Sequence, residues 1–219
     1  LLRWDIINSV QQIALERQDM GDGQNTSTGG KAYPRQPEGG HTVTNFTGVA
    51  LDLETTGLDA SRDAIIEIGL VRFRGDEILD EWSSLVNPGK PVPASITRLT
   101  GITSLDVAKA PRLSELISPL RRFVGDAPLV AHNAGFDLSF LRNAGLSFAQ
   151  PAVDTFELAS IVLPSQPGYS LTALLEHFGQ TLTGAHRALA DARATAQLMA
   201  ALQEYTATLP LPALVEINR

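Results

Sequence analysis

Four carboxylates and one histidine in three separated motifs give this 219-residue chain the side chains for metal-dependent hydrolysis. Asp52 and Glu54 end one apolar run, Asp137 follows a second, and His186 and Asp191 lie where a third helical pattern begins. Carboxylates gathered beside apolar residues are costly unless cations neutralise them. The pattern therefore indicates a site for a hard divalent metal and, with it, phosphate chemistry.

Each motif has a plain structural explanation when it is taken alone. Asp52 and Glu54 point to the same face of a strand, because side chains two apart do so, but a solvated strand end looks the same. Asp137 could simply stabilise the positive end of a helix. His186 and Asp191 are five residues apart, so they converge only if His186 lies on the preceding loop, which Gly184 would allow.

Taken together, the motifs predict phosphodiester hydrolysis. The four carboxylates would hold two Mg²⁺ or Mn²⁺ ions roughly 4 Å apart, one activating a water and the other stabilising the leaving oxygen. A histidine accepts protons near neutral pH, so we expect His186 to take the proton of the attacking water.

The bulk composition sets weaker limits. Hydrophobic residues make up 43% of the chain and charged residues 19%, which is an ordinary soluble composition. The absence of cysteine excludes disulfides and thiolate metal sites and fits a cytoplasmic location. No apolar run is long enough to span a bilayer, so we expect no membrane partner. The start lacks both a signal-peptide pattern and an initiator methionine, as expected of a processed chain or a fragment.

Net charge does not decide the partner. The formal charge of −7 argues weakly against nucleic acid, but four of the acids belong to the predicted site. Arg72 with Arg74 and Arg121 with Arg122 form local basic pairs, which are more typical of a solvated face than of a binding surface.

The chain divides into four predicted regions. Residues 1–19 form an amphipathic helix, residues 20–46 a flexible glycine- and proline-rich linker, residues 47–206 the compact domain, and residues 207–219 a C-terminal tail. Within the domain we expect strands over 49–53, 65–73, 78–86, 128–131 and 152–154. The predicted helices are 94–100, 113–124, 136–143, 156–163, 171–178 and 188–205. Three strands followed by alternating helices and strands predict an α/β fold with a mixed sheet flanked by helices.

The three motifs resemble those of the DnaQ-like (DEDDh) 3′→5′ exonucleases, the family of the proofreading epsilon subunit of bacterial DNA polymerase III. The matching segments are DLETTG at 52–57, HNAGFD at 132–137 and HRALAD at 186–191. The resemblance covers about residues 48–205 and extends to exonuclease domains fused to DinG-type helicases. It implies a ribonuclease H-like fold and release of nucleoside 5′-monophosphates from a 3′ end.

The resemblance also implies substrate contacts. Leu58 corresponds to an apolar wedge against the terminal bases, and Thr55 and Thr56 to contacts near the terminal nucleotide. Thr100 would contact the sugar of the scissile nucleotide. The rim of the site and the support of Asp137 would come from three further residues, His132, Asn133 and Phe136.

Three functions remain open at this point. The first is a metal-dependent 3′→5′ DNA exonuclease in replication proofreading or repair, acting on a single-stranded 3′ end, with a DNA polymerase or helicase as partner. The second is an RNA exonuclease of the same superfamily, because discrimination depends on how the pocket treats the 2′-hydroxyl. The third is a non-catalytic module that binds nucleic-acid ends or a polymerase, which would have no need for all five site residues.

Overall fold

A five-stranded sheet carries the fold in the computed structural model, which describes residues 46–209. The strands are β1 (Thr47–Thr55), β2 (Ile65–Arg74), β3 (Glu77–Leu85), β4 (Leu129–Ala131) and β5 (Ala152–Asp154). The helices are α1 (Ala94–Thr100), α2 (Ser104–Ala108), α3 (Leu113–Val124), α4 (Ala134–Asn143), α5 (Thr155–Val162), α6 (Leu171–His177) and α7 (Ala188–Thr208). The predicted helix 1–19, nearly all of the predicted linker and most of the predicted tail lie outside the described residues.

The strand order β3-β2-β1-β4-β5 combines both pairing directions. The pairs β1–β2 and β2–β3 are antiparallel, whereas β4 runs parallel to both β1 and β5. This confirms the predicted mixed α/β sheet. Because β1, β4 and β5 run in one direction, their carboxyl ends meet at the same edge of the sheet, where sites in α/β folds gather.

The two faces of β1 pack against different helices. Val49, Leu51 and Leu53 belong to a buried cluster with residues of α3 and α4. Ala50 belongs to the opposite cluster, which is built largely from α5, α6 and α7. Side chains two apart share a face, so Asp52 and Glu54 continue the face of Ala50 and emerge on the side of α7.

The start of α7 rests directly on the sheet at Gly69. A Cβ atom added at Gly69 would lie 2.2 Å from the carbonyl carbon and oxygen of Ala188, so only a residue without a side chain allows this approach. Gly69 is the cross-strand neighbour of Asp52. The contact therefore brings the N-terminus of α7 beside the first carboxylate motif.

The sequence did not predict α2. This five-residue helix begins with a capping box, in which the Thr103 side chain accepts from the N–H of Asp106 while the Asp106 carboxylate accepts from Thr103. Five residues are too few to show an apolar period. Strand β1 also extends beyond the predicted 49–53, because its polar ends pair with β2. None of the helices within residues 46–209 combines the length and apolarity needed to cross a membrane.

Candidate active site

Three carboxylates from the two ends of the domain converge at the carboxyl edge of the sheet. Asp52, Glu54 and Asp191 each offer an oxygen, and these oxygens all lie within 4.8 Å of one another. Burial and the neighbouring carboxylates raise the pKa of Asp52 well above its ordinary value. Burial and the charges of Asp191 and Glu67 raise the pKa of Glu54 from 4.5 to about 7. Ionising all of these carboxylates therefore costs free energy when no cation is bound.

Asp137 joins this cluster from α4. Asn133 caps that helix in a left-handed conformation, with φ at 63°, so the chain turns sharply after β4 and presents the first turn of α4 to the sheet edge. Asp137 is buried, and burial raises its pKa to about 8. After burial, its charge is the largest cause of the raised pKa of Asp52.

His186 lies on the loop before α7, the placement required for it to meet Asp191. Its φ of 65° and the φ of 76° at Gly184 turn the chain back, so that the His186 backbone N–H donates to Asp191 Oδ2 at 2.9 Å. The His186 side chain is exposed at the rim. Burial raises the pKa of Asp191 above its ordinary value, although the hydrogen bond from the His186 N–H opposes that shift.

The donor set fits hard divalent cations. All ligands on offer are carboxylate oxygens, which Mg²⁺ and Mn²⁺ prefer. Asp191 Oδ1 is buried and has no hydrogen-bond partner among the described residues, a costly state that a bound cation would relieve. The residues that would hold the metal are Asp52, Glu54 and Asp191, with Asp137 beside them.

The sequence reasoning missed a fifth carboxylate and its partner. Glu67 is the cross-strand neighbour of Glu54 and only 4% exposed. Arg187 pairs with it, with Nη2 2.7 Å from Glu67 Oε1. The available signal was an acid within the apolar strand segment IIEIG at 65–69, since a charged residue is seldom buried without a partner.

The loop after β1 presents Leu58 to solvent, with 86% of its surface exposed. Thr55 and Thr56 are buried beneath it, and their hydroxyls hold the turn: Thr55 Oγ1 donates to the Gly57 carbonyl, and Thr56 Oγ1 donates to Asp63. The structure therefore brings Leu58 to the surface and leaves the two threonine hydroxyls engaged within the loop.

The remaining predicted contacts divide into rim and interior. His132 and Phe136 are half-buried, and Asn133 is exposed, at the start of α4 next to Asp137. His132 Nδ1 lies 3.0 Å from Thr155 Oγ1, and burial lowers its pKa. Thr100, by contrast, is buried, and its hydroxyl donates to the Ile96 carbonyl at the end of α1.

The basic pairs lie away from this site. Arg72 and Arg74 pair with Val49 and Thr47 at the beginning of β1, the opposite end of the strand from the carboxylates. Arg72 also donates to the carbonyl of Phe123 at the end of α3 and lies over its ring. These arginines therefore stabilise the far end of the fold.

Comparisons with known proteins point to one family. A family model described as an exonuclease of the RNase T type matches residues 49–199. The chain is 40% identical over 159 residues to a PolC-type DNA polymerase III of Bacillus subtilis, covering 70% of this chain. It is 38% identical over 174 residues to the PolC-type enzyme of Caldanaerobacter subterraneus, covering 78% of this chain. The chain spans only 11% and 12%, respectively, of these polymerases.

Solved structures give the same fold. Exonuclease X in complex with 5′ overhanging duplex DNA is 27% identical, with a TM-score of 0.63, over 78% of this chain and 99% of that one. The nuclease domain of 3′hExo, a DEDDh family member bound to rAMP, is 20% identical, with a TM-score of 0.62, over 73% and 92%. These likenesses confirm the predicted ribonuclease H-like fold.

Proposed function

Because the chain belongs to the RNase T family of exonucleases, we propose that it is a divalent-metal-dependent 3′→5′ exonuclease that acts on DNA and releases nucleoside 5′-monophosphates. Membership of the family makes the chain an exonuclease. We propose the 3′→5′ direction of digestion, the dependence on a divalent metal and the choice of DNA as substrate.

The observation that carries the proposal is the convergence of the carboxylates. Asp52 and Glu54 on β1 and Asp191 on α7 come from distant segments, yet they form one cluster, with the charge of Asp137 acting on Asp52 and with His186 at the rim. Such a concentration of negative charge lowers stability unless it serves a positively charged ligand. The cost is most simply explained by catalysis.

The residues of the chain have distinct roles in this mechanism. When bound, divalent cations supply the positive charge that offsets the phosphate and polarises the attacking water. His186 accepts the proton of that water, while the bond from its backbone to Asp191 fixes its place on the loop. The water oxygen bonds to phosphorus as the bond to the 3′-oxygen of the preceding nucleotide breaks, and that oxygen leaves with the electron pair and takes a proton from solvent. The products are a 5′-monophosphate and a shortened strand with a 3′-hydroxyl.

DNA is favoured over RNA by the sequence relatives. The curated relatives described above are DNA polymerases, and Exonuclease X was solved with overhanging duplex DNA. We propose proofreading or repair on that basis, with a polymerase as partner. Leu58 would contact the terminal bases from its exposed position, and Phe136, His132 and Asn133 would line the rim beside Asp137.

The test follows digestion of 5′-labelled single-stranded DNA and RNA of matched sequence with Mg²⁺, Mn²⁺ or EDTA. We expect a metal-dependent ladder that shortens from the 3′ end of DNA. Asp137→Asn should lower turnover at least about a hundredfold, because loss of several kcal/mol of stabilisation has that effect.

Asp126→Asn, at an exposed position away from the cluster, is the matched control and should remain near wild type. Full activity in EDTA, or cutting only within the strand, would refute the metal-dependent exonuclease. Faster digestion of RNA than of DNA would show that RNA, and not DNA, is the preferred substrate.

A further inference from the structure

We propose that Glu67 and Arg187 act as a positioning pair that holds His186 and Asp191 in register with the strand carboxylates. This inference rests on the proposed function, because it assigns the pair a role in the same hydrolysis.

Four hydrogen bonds join Glu67 to the start of α7. Arg187 Nε lies 3.2 Å and 3.1 Å from Glu67 Oε1 and Oε2, and Arg187 Nη2 lies 2.7 Å from Oε1. The backbone N–H of Ala188 donates to Oε2 at 3.0 Å. A single carboxylate on β2 thus fixes both the side chain of Arg187 and the first N–H of α7, and a forked guanidinium contact of this kind restricts direction as well as distance.

The two residues that this contact positions lie on either side of it. His186 immediately precedes Arg187 and has a left-handed backbone that a histidine seldom adopts, so the surrounding contacts must hold it there. Its N–H is bound to Asp191, one turn into α7. The contacts of Glu67 with Arg187 and Ala188 therefore tie the loop to β2, while the bond from His186 to Asp191 ties it to α7.

A helix cap alone does not explain this choice of residues. Glu67 lies directly opposite Glu54 on the neighbouring strand and is only 4% exposed, so its carboxylate adds a buried negative charge beside the cluster. Serine or threonine would cap the helix without that cost. A glutamate is needed at this position because it forms an ion pair with Arg187. A neutral residue would leave the loop at residue 187 without that ion pair.

The same helix provides a matched control. Arg193 on α7 pairs with Glu81 on β3, with Nη2 2.6 Å from Glu81 Oε2. It is also an ion pair between helix and sheet, but it lies further along α7, beyond Asp191. If the Glu67–Arg187 pair only docks the helix on the sheet, removing Arg187 should affect kcat no more than removing Arg193.

The experiment measures kcat and KM on single-stranded DNA together with urea unfolding. The variants are Arg187→Met, Arg187→Lys, Arg193→Met and Arg187→Met combined with His186→Ala. We expect Arg187→Met to lower kcat about 10–100-fold, the effect typical of removing groups that orient active-site ligands. KM should stay within about threefold of wild type, whereas the urea midpoint should fall, because the change leaves the buried Glu67 carboxylate without its cation. Arg187→Lys should recover part of kcat, and Arg193→Met should leave kcat unchanged.

The combined variant tests whether Arg187 acts through His186. Measured against His186→Ala alone, adding Arg187→Met should lower kcat by a smaller factor than it does in wild type, because only the part of its effect that acts through Asp191 remains. Multiplicative losses, or equal losses in Arg187→Met and Arg193→Met, would overturn the inference. If Arg187→Met does not fold, a wild-type kcat in Arg187→Lys would overturn the inference. A wild-type protein without exonuclease activity would instead refute the proposed function.

Discussion

Replacing Glu54 by glutamine should stabilise the protein when no metal is bound, although it removes a metal ligand. The pKa of Glu54 rises from 4.5 to about 7 in the fold, because of burial and the charges of Asp191 and Glu67. A pKa difference of one corresponds to about 1.4 kcal/mol, so ionised Glu54 costs the folded state about 3 kcal/mol before screening. Because Glu54 is only half-buried, water reduces the expected cost to about 1–2 kcal/mol.

The sign of this effect fixes its pH dependence. The folded protein holds the Glu54 proton more tightly than the unfolded chain does, so stability falls as pH rises between 4.5 and about 7. Above about pH 7 the full penalty is present. Glu54→Gln lacks this penalty, so at pH 8 in EDTA it should melt about 2–6 °C above wild type, and at pH 4.5 the two should nearly coincide.

Thermal unfolding at pH 4.5 and pH 8, either in EDTA or in Mg²⁺ without EDTA, measures both the electrostatic penalty and the stabilisation by metal. Glu204→Gln, at an exposed position on α7, is the control and should not change the pH dependence. Mg²⁺ at one hundred times its Kd should stabilise wild type by about 2.7 kcal/mol and stabilise Glu54→Gln distinctly less. A variant that melts below wild type at pH 8 in EDTA would refute the electrostatic reasoning.

Three further predictions test the rim, the loop and the helix contact. His186→Ala should lower kcat about 10²–10⁴-fold on single-stranded DNA, as expected for a lost general base; a loss below tenfold would remove that role. Leu58→Ala should leave the free energy of unfolding within about 0.5 kcal/mol, because Leu58 is 86% exposed, while slowing digestion of paired ends more than of single strands. Equal slowing on both substrates would argue against a wedge. Gly69→Ala should cost at least about 1–3 kcal/mol in urea unfolding, because its Cβ would meet the backbone of α7 at 2.2 Å. The control Gly168→Ala, which meets no atom within 4 Å, should cost less; equal costs would show that α7 can move.

The sequence predicted the elements that carry their own periodic or apolar signal. The predicted bounds of α1 and α3 agree with the structure, and the buried runs of β1, β4 and β5 were found from apolar residues alone. Local patterns suffice there because each element buries a face that its own residues define. The same signals located the ends of strands, and therefore predicted where Asp52, Glu54 and Asp137 lie.

What could not be predicted depends on partners distant in sequence. Glu67 gains its partner only when the start of α7 docks on β2, which local periodicity does not show. The resemblance implies that Thr100 contacts substrate, which stays a prediction; the bond from its hydroxyl to the Ile96 carbonyl at the end of α1 could not be read from the sequence. The direction of a threonine side chain at a helix end depends on the capping bonds available there, and those are formed by the folded loop.

The docking of α7 also determines when the protein can be a nuclease at all. Strand β1 supplies Asp52 and Glu54 at the beginning of the domain, whereas Asp191 comes from α7, the last of the described elements. A chain emerging from the ribosome therefore carries half of the proposed metal site long before the other half exists. With the mechanism proposed above, nucleic acid near a nascent chain is not cut until α7 has been synthesised and packed. Any fluctuation that detaches α7 likewise suspends hydrolysis before the sheet itself unfolds.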